Sequence, residues 1–182
     1  MQKRLLLNSQ HLSITISRLC YQLIENHNQF ENTVLLGLQP KGIYLAERIK
    51  SKLEEATGKS IDLGYLDITF YRDDFRRRDE PLSPNETKVP FIIEGKNVVL
   101  IDDVLYTGRS VKAAMDAMGA FGRPEQVELL TLIDRIHSRD IPIKATYVGK
   151  QVNTVLSQKV LVELIEQGKK EDKIWLIDNS EK

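Results

Sequence analysis

Apolar residues at Leu12, Ile16, Leu19 and Leu23 fall one helical turn apart and define a single buried stripe, with Asn8 or Ser9 ahead of them as a cap. The spacing predicts an opening helix. Residues 33–38, Thr-Val-Leu-Leu-Gly-Leu, read as a buried strand. Over residues 42–56 the period returns to that of a helix, with Ile43, Ala46, Ile49 and Leu53 on one face and Gly58 as the stop. Residues 62–70 read as another strand. Residues 71–88 are rich in Arg, Asp, Glu and Pro and almost devoid of apolar side chains, which predicts a mobile loop. Residues 90–93 and 97–101 flank Glu94-Gly95-Lys96 and read as two strands joined by a tight turn. Val111, Ala114, Met115 and Met118 mark a third helix, closed by Gly122 and Pro124, and residues 127–133 a further apolar strand. Beyond Tyr147, the runs 160–165 and 174–177 around Gln167-Gly168 read as a terminal hairpin.

Strand, helix, strand, helix, strand is the order of an α/β protein with a mainly parallel sheet covered on both faces, and ligands are expected beyond the carboxyl ends of its strands. The 182 residues, 41% of them hydrophobic, suit one domain spanning 1–182 with a real core. The 26 basic and 26 acidic residues balance, so any nucleic-acid site must be a local patch. Cys20 is the only cysteine, which excludes an intramolecular disulfide and a thiol-rich metal site. The apolar run at residues 1–7 is too short for a signal peptide and no later stretch is long enough to span a membrane, so the expected location is the cytoplasm.

Chemistry concentrates in residues 98–110. A buried strand delivers two acids, Asp102 and Asp103, followed by a turn with Thr107, Gly108 and Ser110 and a helix start. Free backbone N–H groups and the positive end of the helix dipole make such a start an anion site, and Gly108 lets the backbone approach a phosphate. Ionised carboxylates are acceptors only, which suits sugar hydroxyls. Together these parts fit a ribose 5-phosphate. Thr107 alone could be a simple helix cap, but the ordered set of acids, glycine and hydroxyls at one strand-to-helix junction asks for a ligand. Gly37-Leu38-Gln39-Pro40-Lys41-Gly42 repeats the strand-turn-helix logic and offers a second anion site, or an ordinary Gly/Pro turn. Asp134-Arg135 lies at another strand end, as a ligand contact or as a structural ion pair. Arg76, Arg77 and Arg78 read as a solvated charge run, and Tyr106 as a packing residue. His11, His27 and His137 have no spacing that would gather a metal or a nucleophile triad.

Residues 98–110 resemble the phosphoribosyl diphosphate signature of type I phosphoribosyltransferases. Leu66-Asp67-Ile68-Thr69-Phe70-Tyr71-Arg72-Asp73-Asp74, the Asp102 to Ser110 stretch, Asp134-Arg135 and Tyr147-Val148-Gly149-Lys150 are similar to the PyrR family, pyrimidine operon attenuators with uracil phosphoribosyltransferase activity. The resemblance covers nearly the whole chain. It implies a type I phosphoribosyltransferase fold with a small hood, and transfer from phosphoribosyl diphosphate to uracil, giving UMP and diphosphate. Arg72, Asp102 and Asp103 would be the catalytic residues. The two acids would hold the ribose hydroxyls, and Tyr106, Thr107, Gly108, Arg109 and Ser110 would complete the 5-phosphate site. Pro40, Lys41, Gly42 and Arg72 would face the diphosphate, which brings magnesium with it and no dedicated protein ligand. Uracil would lie near Arg135 and Val148. Tyr106 stands where purine-using relatives commonly carry Asp, which argues against hypoxanthine or guanine.

The same resemblance implies a homodimer or higher homo-oligomer, sensing of UMP and UTP, and binding of pyrimidine operon leader RNA through Ser17, Arg18, Lys144 and Lys150. Several positions depart from the family pattern. Pro40-Lys41 replaces Thr-Arg in the diphosphate loop, losing a hydroxyl, a backbone donor and the planar fork of Arg. Tyr21 and Asn26 stand where His and Arg are usual, Asn153 where Pro is usual, and the segment after Asp134-Arg135 carries one added residue. Lost positive charge weakens RNA contact, since affinity for RNA leans on phosphate neutralisation. The alternative reading is an RNA-binding attenuator or nucleotide sensor with little or no catalysis.

Overall fold

A computed structural model describes residues 2–28, 30–73 and 84–178. The elements are β1 (Gln2–Asn8), α1 (Ser9–His27), β2 (Thr33–Leu38), α2 (Gly42–Thr57), β3 (Leu63–Leu66), β4 (Asn97–Leu105), α3 (Arg109–Met118), β5 (Gln126–Ile136), β6 (Tyr147–Asn153), β7 (Gln158–Glu163) and β8 (Lys173–Asp178). β3-β2-β4-β5-β6 form a five-stranded parallel sheet, and β1-β8-β7 a three-stranded antiparallel hood.

The alternating burial of β4 shows how sequence makes two layers. Val99 and Ile101 point into a core shared with α1, α2 and the hood, where Leu19, Leu23, Ile49 and Ile174 are fully buried. Val98 and Leu100 point to the other face and pack under α3 against Ala114, Ala117 and Met118. Such period-2 sorting on a strand with no polar face is what a sheet covered on both sides requires. Each buried Leu or Ile contributes about 1.5–3 kcal/mol relative to exposure. α1 starts where Asn8 accepts the His11 amide at 2.8 Å, and α2 stops at Gly58, whose φ of 69° is the left-handed conformation glycine tolerates.

Four local expectations differ from the structure. The strand expected over 62–70 ends at Leu66, because Asp67 folds the chain back on itself: its Oδ1 accepts from the Thr69 amide and hydroxyl, and its Oδ2 from the Asn85 amide. Residues 90–93 form no strand. Pro90 lacks a donor, and the nearest pairing is a single bridge between Tyr65 and Lys88. The turn that follows does form, with Lys96 N donating to Ile93 O at 3.0 Å and Gly95 at φ 66°. Met115 is 50% exposed, and Ala113 and Ala117 take its place in the α3 core face; the helix ends at Met118 and a 3-10 turn over Gly119–Phe121 leads to Gly122. β1 and β6 are strands the pattern does not announce; β1 completes the hood by pairing with β8, and β6 forms the edge of the parallel sheet beside β5. The mobile-loop expectation for 71–88, Arg76 to Arg78 included, falls mostly on residues 74–83, which lie outside the described residues. No helix among the described residues is long and apolar enough to cross a membrane.

Candidate functional site

β2 and β4 lie side by side, Gly37 opposite Ile101, so the turns at their carboxyl ends meet. The contact is tight. A Cβ on Gly42 would sit 2.5 Å from Ile101 O and 3.1 Å from Asp102 Cα, so only glycine lets Pro40-Lys41-Gly42 rest against the acidic pair. The Gln39-Pro40 peptide is cis. Burial, then the neighbouring carboxylate, pushes the Asp102 carboxyl well above the usual carboxylate range, while the charge of Arg72 opposes the rise. Burial likewise raises Asp103, opposed first by Lys41. Two cations therefore bear on the acidic pair at one strand end.

After Leu105 the chain turns through Gly108, at φ 88°, and enters α3 at Arg109. Thr107 Oγ1 accepts the Arg109 amide at 3.5 Å, and Ser110 Oγ accepts Arg72 Nη1 at 3.0 Å. The turn is held from behind by the segment after β5. Thr107 O accepts the amides of Asp140 and Ile141 at 3.0 and 3.1 Å. Arg139 donates to Tyr106 O, to Arg135 O at 2.9 Å and to Ile143 O at 3.0 Å. Arg109 pairs with Asp140 at 2.9 Å and with Asp73.

A cavity of about 670 Å³ opens beside this turn, walled by Tyr106, Thr107, residues 137–140 and residues 154–157. Arg135 is not in the wall but packs against one of its residues: it is 5% exposed, with its guanidinium 3.7 Å from the Tyr106 ring centroid. Its Nε donates to Thr154 Oγ1 at 3.0 Å and its Nη2 to Gln158 O at 2.8 Å. The structural ion pair considered for Asp134-Arg135 is thus absent; Asp134 pairs with Arg139 instead. Adjacent residues on a strand point to opposite faces, which is why these neighbours part. Val148 sits in β6 opposite Thr131 and is not part of the cavity wall.

The residues named for RNA gather in part at another edge. Arg18 Nη2 donates to Val148 O at 3.2 Å and Gly149 O at 2.6 Å, so α1 caps the carbonyls of edge strand β6 next to exposed Lys150. Ser17 turns its hydroxyl to Ser13 O at 3.0 Å, and Lys144 is exposed ahead of β6. Asp73, Arg139, Asp140 and Thr154 were not anticipated as site residues. Their contacts span 33 residues in the case of Arg139 and Tyr106, and no spacing rule reaches that far.

Among the described residues no group of three or more His, Cys, Asp or Glu side chains could cage a metal. Magnesium does not need one. It commonly keeps waters and takes one or two carboxylates plus phosphate oxygens, and Asp102 and Asp103 supply such a pair.

Residues 4–164 match the phosphoribosyl transferase domain family. The bifunctional protein PyrR of Bacillus subtilis is 41% identical over 168 residues, covering 91% of this chain and 92% of its own. The bifunctional protein PyrR of Elusimicrobium minutum is 38% identical, covering 98% and 99%. In fold, the hypoxanthine phosphoribosyltransferase of Trypanosoma cruzi superposes with a TM-score of 0.72 at 12% identity over 96% of each chain. The hypoxanthine-guanine phosphoribosyltransferase of Bacillus anthracis superposes with a TM-score of 0.69 at 16% identity, covering 97% and 99%. An acidic pair, a phosphate-ready turn and a second anion loop at adjacent strand ends, under a hood, accord with these matches: the chain belongs to the PyrR family of phosphoribosyltransferases.

Proposed function

We propose that this chain transfers the phosphoribosyl group of phosphoribosyl diphosphate to uracil, and that it also regulates pyrimidine genes by binding their leader RNA. The observation that carries the enzymatic reading is the meeting of Asp102-Asp103, the Thr107 to Ser110 turn and the Pro40-Lys41-Gly42 turn at the carboxyl ends of β2 and β4. In the reaction the bond from ribose C1 to the diphosphate oxygen breaks and a bond from C1 to uracil N1 forms; the N1 proton is lost and diphosphate leaves. No covalent nucleophile of the protein is required. The task is positioning, together with support for charge that grows on the departing anion.

The residues divide that task. Asp102 and Asp103 accept hydrogen bonds from the ribose hydroxyls. The backbone of the turn at Gly108 and the hydroxyls of Thr107 and Ser110 take the 5-phosphate. Lys41 and Arg72 stand by the diphosphate. Magnesium supplies charge neutralisation on the diphosphate when it is bound, and Asp102 and Asp103 are the residues that would hold it. The cavity under Tyr106 and Arg135 receives the base. Release of diphosphate from magnesium and phosphoribosyl diphosphate, with uracil, orotate, hypoxanthine, guanine or adenine in separate tubes, tests the reading. Uracil-dependent release supports it, and silence in all five tubes from folded protein overturns it.

The regulatory reading is supported by Arg18, which reaches Gly149 O on the β6 edge, and by exposed Lys150, the next residue along that strand. A nearly neutral chain binds RNA only through such a patch, and the affinity then falls steeply with salt. Leader RNA that fails to bind even at low salt would remove it. The family resemblance also supports a homodimer or higher homo-oligomer, which light scattering decides.

A further inference from the structure

Arg109 opens α3 beside the phosphate-ready turn, where a guanidinium could meet the substrate phosphate directly. Its surroundings assign it otherwise. Nε faces Asp140 Oδ2 at 2.9 Å and Nη1 faces Asp73. Two carboxylates occupy this one guanidinium, which makes it a joint between two protein segments.

The segments joined are informative. Asp140 is fixed to the turn through the backbone, since its amide and that of Ile141 both donate to Thr107 O, and Arg139 donates to Tyr106 O. Asp73 directly follows Arg72, whose Nη1 reaches Ser110 Oγ at 3.0 Å. Exposed ion pairs count for little when isolated. Here both carboxylates share one cation, and one of them is held by its own backbone, so geometry is transmitted from Asp140 through Arg109 to Asp73 and the adjacent Arg72.

We propose that Asp140 is a positioning residue for phosphoribosyl transfer: it fixes Arg109, which docks Asp73 and so sets where Arg72 stands over the 5-phosphate turn. The inference deepens the reading of the site as a phosphoribosyltransferase centre and rests on it. Arg109 then belongs to the support of Arg72 and not to the phosphate ligands.

The test uses the full chain and three variants, Asp140→Asn, Asp73→Asn and the double variant, with Asp140→Glu as the conservative control. A coupling typical of a paired network lowers kcat by about fivefold in either single variant, with KM for phosphoribosyl diphosphate within about twofold of wild type. The double variant loses no more than the worse single one, and Asp140→Glu recovers part of the rate. A tighter KM in Asp140→Asn, from an Arg109 freed onto the phosphate, overturns the proposal, as do unchanged kcat or fully additive losses. The side-chain Nε–H signals of Arg109 and Arg72, followed by nitrogen-15 NMR, give a readout that needs no turnover. Both signals move in Asp140→Asn if the joint exists, and an Arg72 signal that stays in place overturns the proposal. If wild-type protein transfers nothing while these signals still move together, the failure lies with the proposed activity and not with the joint.

Discussion

At the scale of single residues, the site depends on groups that have almost no freedom to vary. Asp102 and Asp103 are acids whose charged form burial disfavours, so replacing them by amides relieves a cost to the fold while turning one acceptor oxygen of each, proposed to meet the ribose hydroxyls, into a donor. The Asp102→Asn/Asp103→Asn double variant should keep or raise its thermal midpoint and lose at least about a hundredfold in kcat/KM, a loss on the scale of removing key transition-state contacts. Retained turnover would show that the acids serve the fold alone. Gly42→Ala places a methyl 2.5 Å from a backbone oxygen that cannot swing away, so the loop bearing Lys41 must shift. KM for phosphoribosyl diphosphate should rise about tenfold, corresponding to about 1.4 kcal/mol of lost binding, in steady-state kinetics. The acids and the turn were legible in the sequence because they are contiguous from Asp102 to Ser110. Arg139, Asp140 and Thr154 were not, because their partners are brought near only by the crossing from β5 to β6.

At the scale of elements, the amino ends of the strands hold a polar cluster that the sequence left without a role. His27, the last residue of α1, places Nε2 2.7 Å from Glu128 Oε2 and 3.1 Å from the Tyr147 hydroxyl, while Nδ1 lies 3.1 Å from Thr33 Oγ1. Tyr147 donates to Glu128 at 3.0 Å and accepts from Asn26 Nδ2 at 2.9 Å. One helix end is thereby tied to β2, β5 and β6. A histidine that joins elements leaves no metal-ligand spacing in the sequence, and the largely exposed residues of β1 do not announce its pairing with β8. His27→Ala should cost about 2–3 kcal/mol in urea unfolding, since buried partners lose their bonds. Tyr147 adds a pH signature. Burial, chiefly, pushes its hydroxyl from 10.0 up to about 12. The unfolded chain releases this proton near pH 10 while the folded chain keeps it, so the stability is complete below 10 and drains away as pH climbs toward 12. Tyr147→Phe should be less stable at pH 8 and lose less than wild type between pH 10 and 12; parallel curves would refute this.

At the scale of the whole molecule, the parallel sheet and the hood meet beside the cavity under Tyr106, one wall of which, residues 154–157, leads directly into hood strand β7. Arg135 of β5 reaches Gln158 O of the hood, and Arg48 of α2 makes the larger connection. Arg48 donates to both oxygens of Glu166, at 2.7 and 2.6 Å, and to both oxygens of Asp172, at 2.7 and 2.8 Å. Asp172 in turn receives the Ile165 amide at 3.0 Å, and its carbonyl receives the Ser9 hydroxyl at 3.0 Å. Bidentate geometry on two carboxylates is the form in which an ion pair fixes orientation as well as energy. Arg48 holds both Asp172 and Glu166 below the usual carboxylate range. Because the folded values are depressed, the contribution is present above the unfolded values and is lost as pH falls through the folded ones. Arg48→Met keeps the apolar stem but strands a carboxylate that is 8% exposed, and it should cost about 2–3 kcal/mol at pH 7. Urea midpoints of the two proteins should stay apart down to the unfolded carboxylate values of about pH 4 and converge only as pH falls below them, through the depressed values of the folded wild type. With the hood loosened, KM for the base should rise more than KM for phosphoribosyl diphosphate, since the 5-phosphate turn and the diphosphate loop belong wholly to the parallel sheet. A stability gap that stays constant with pH, or the two KM values rising together, would mean that the hood is held by its apolar core through Ile174 and Val162 and that Arg48 merely decorates the joint.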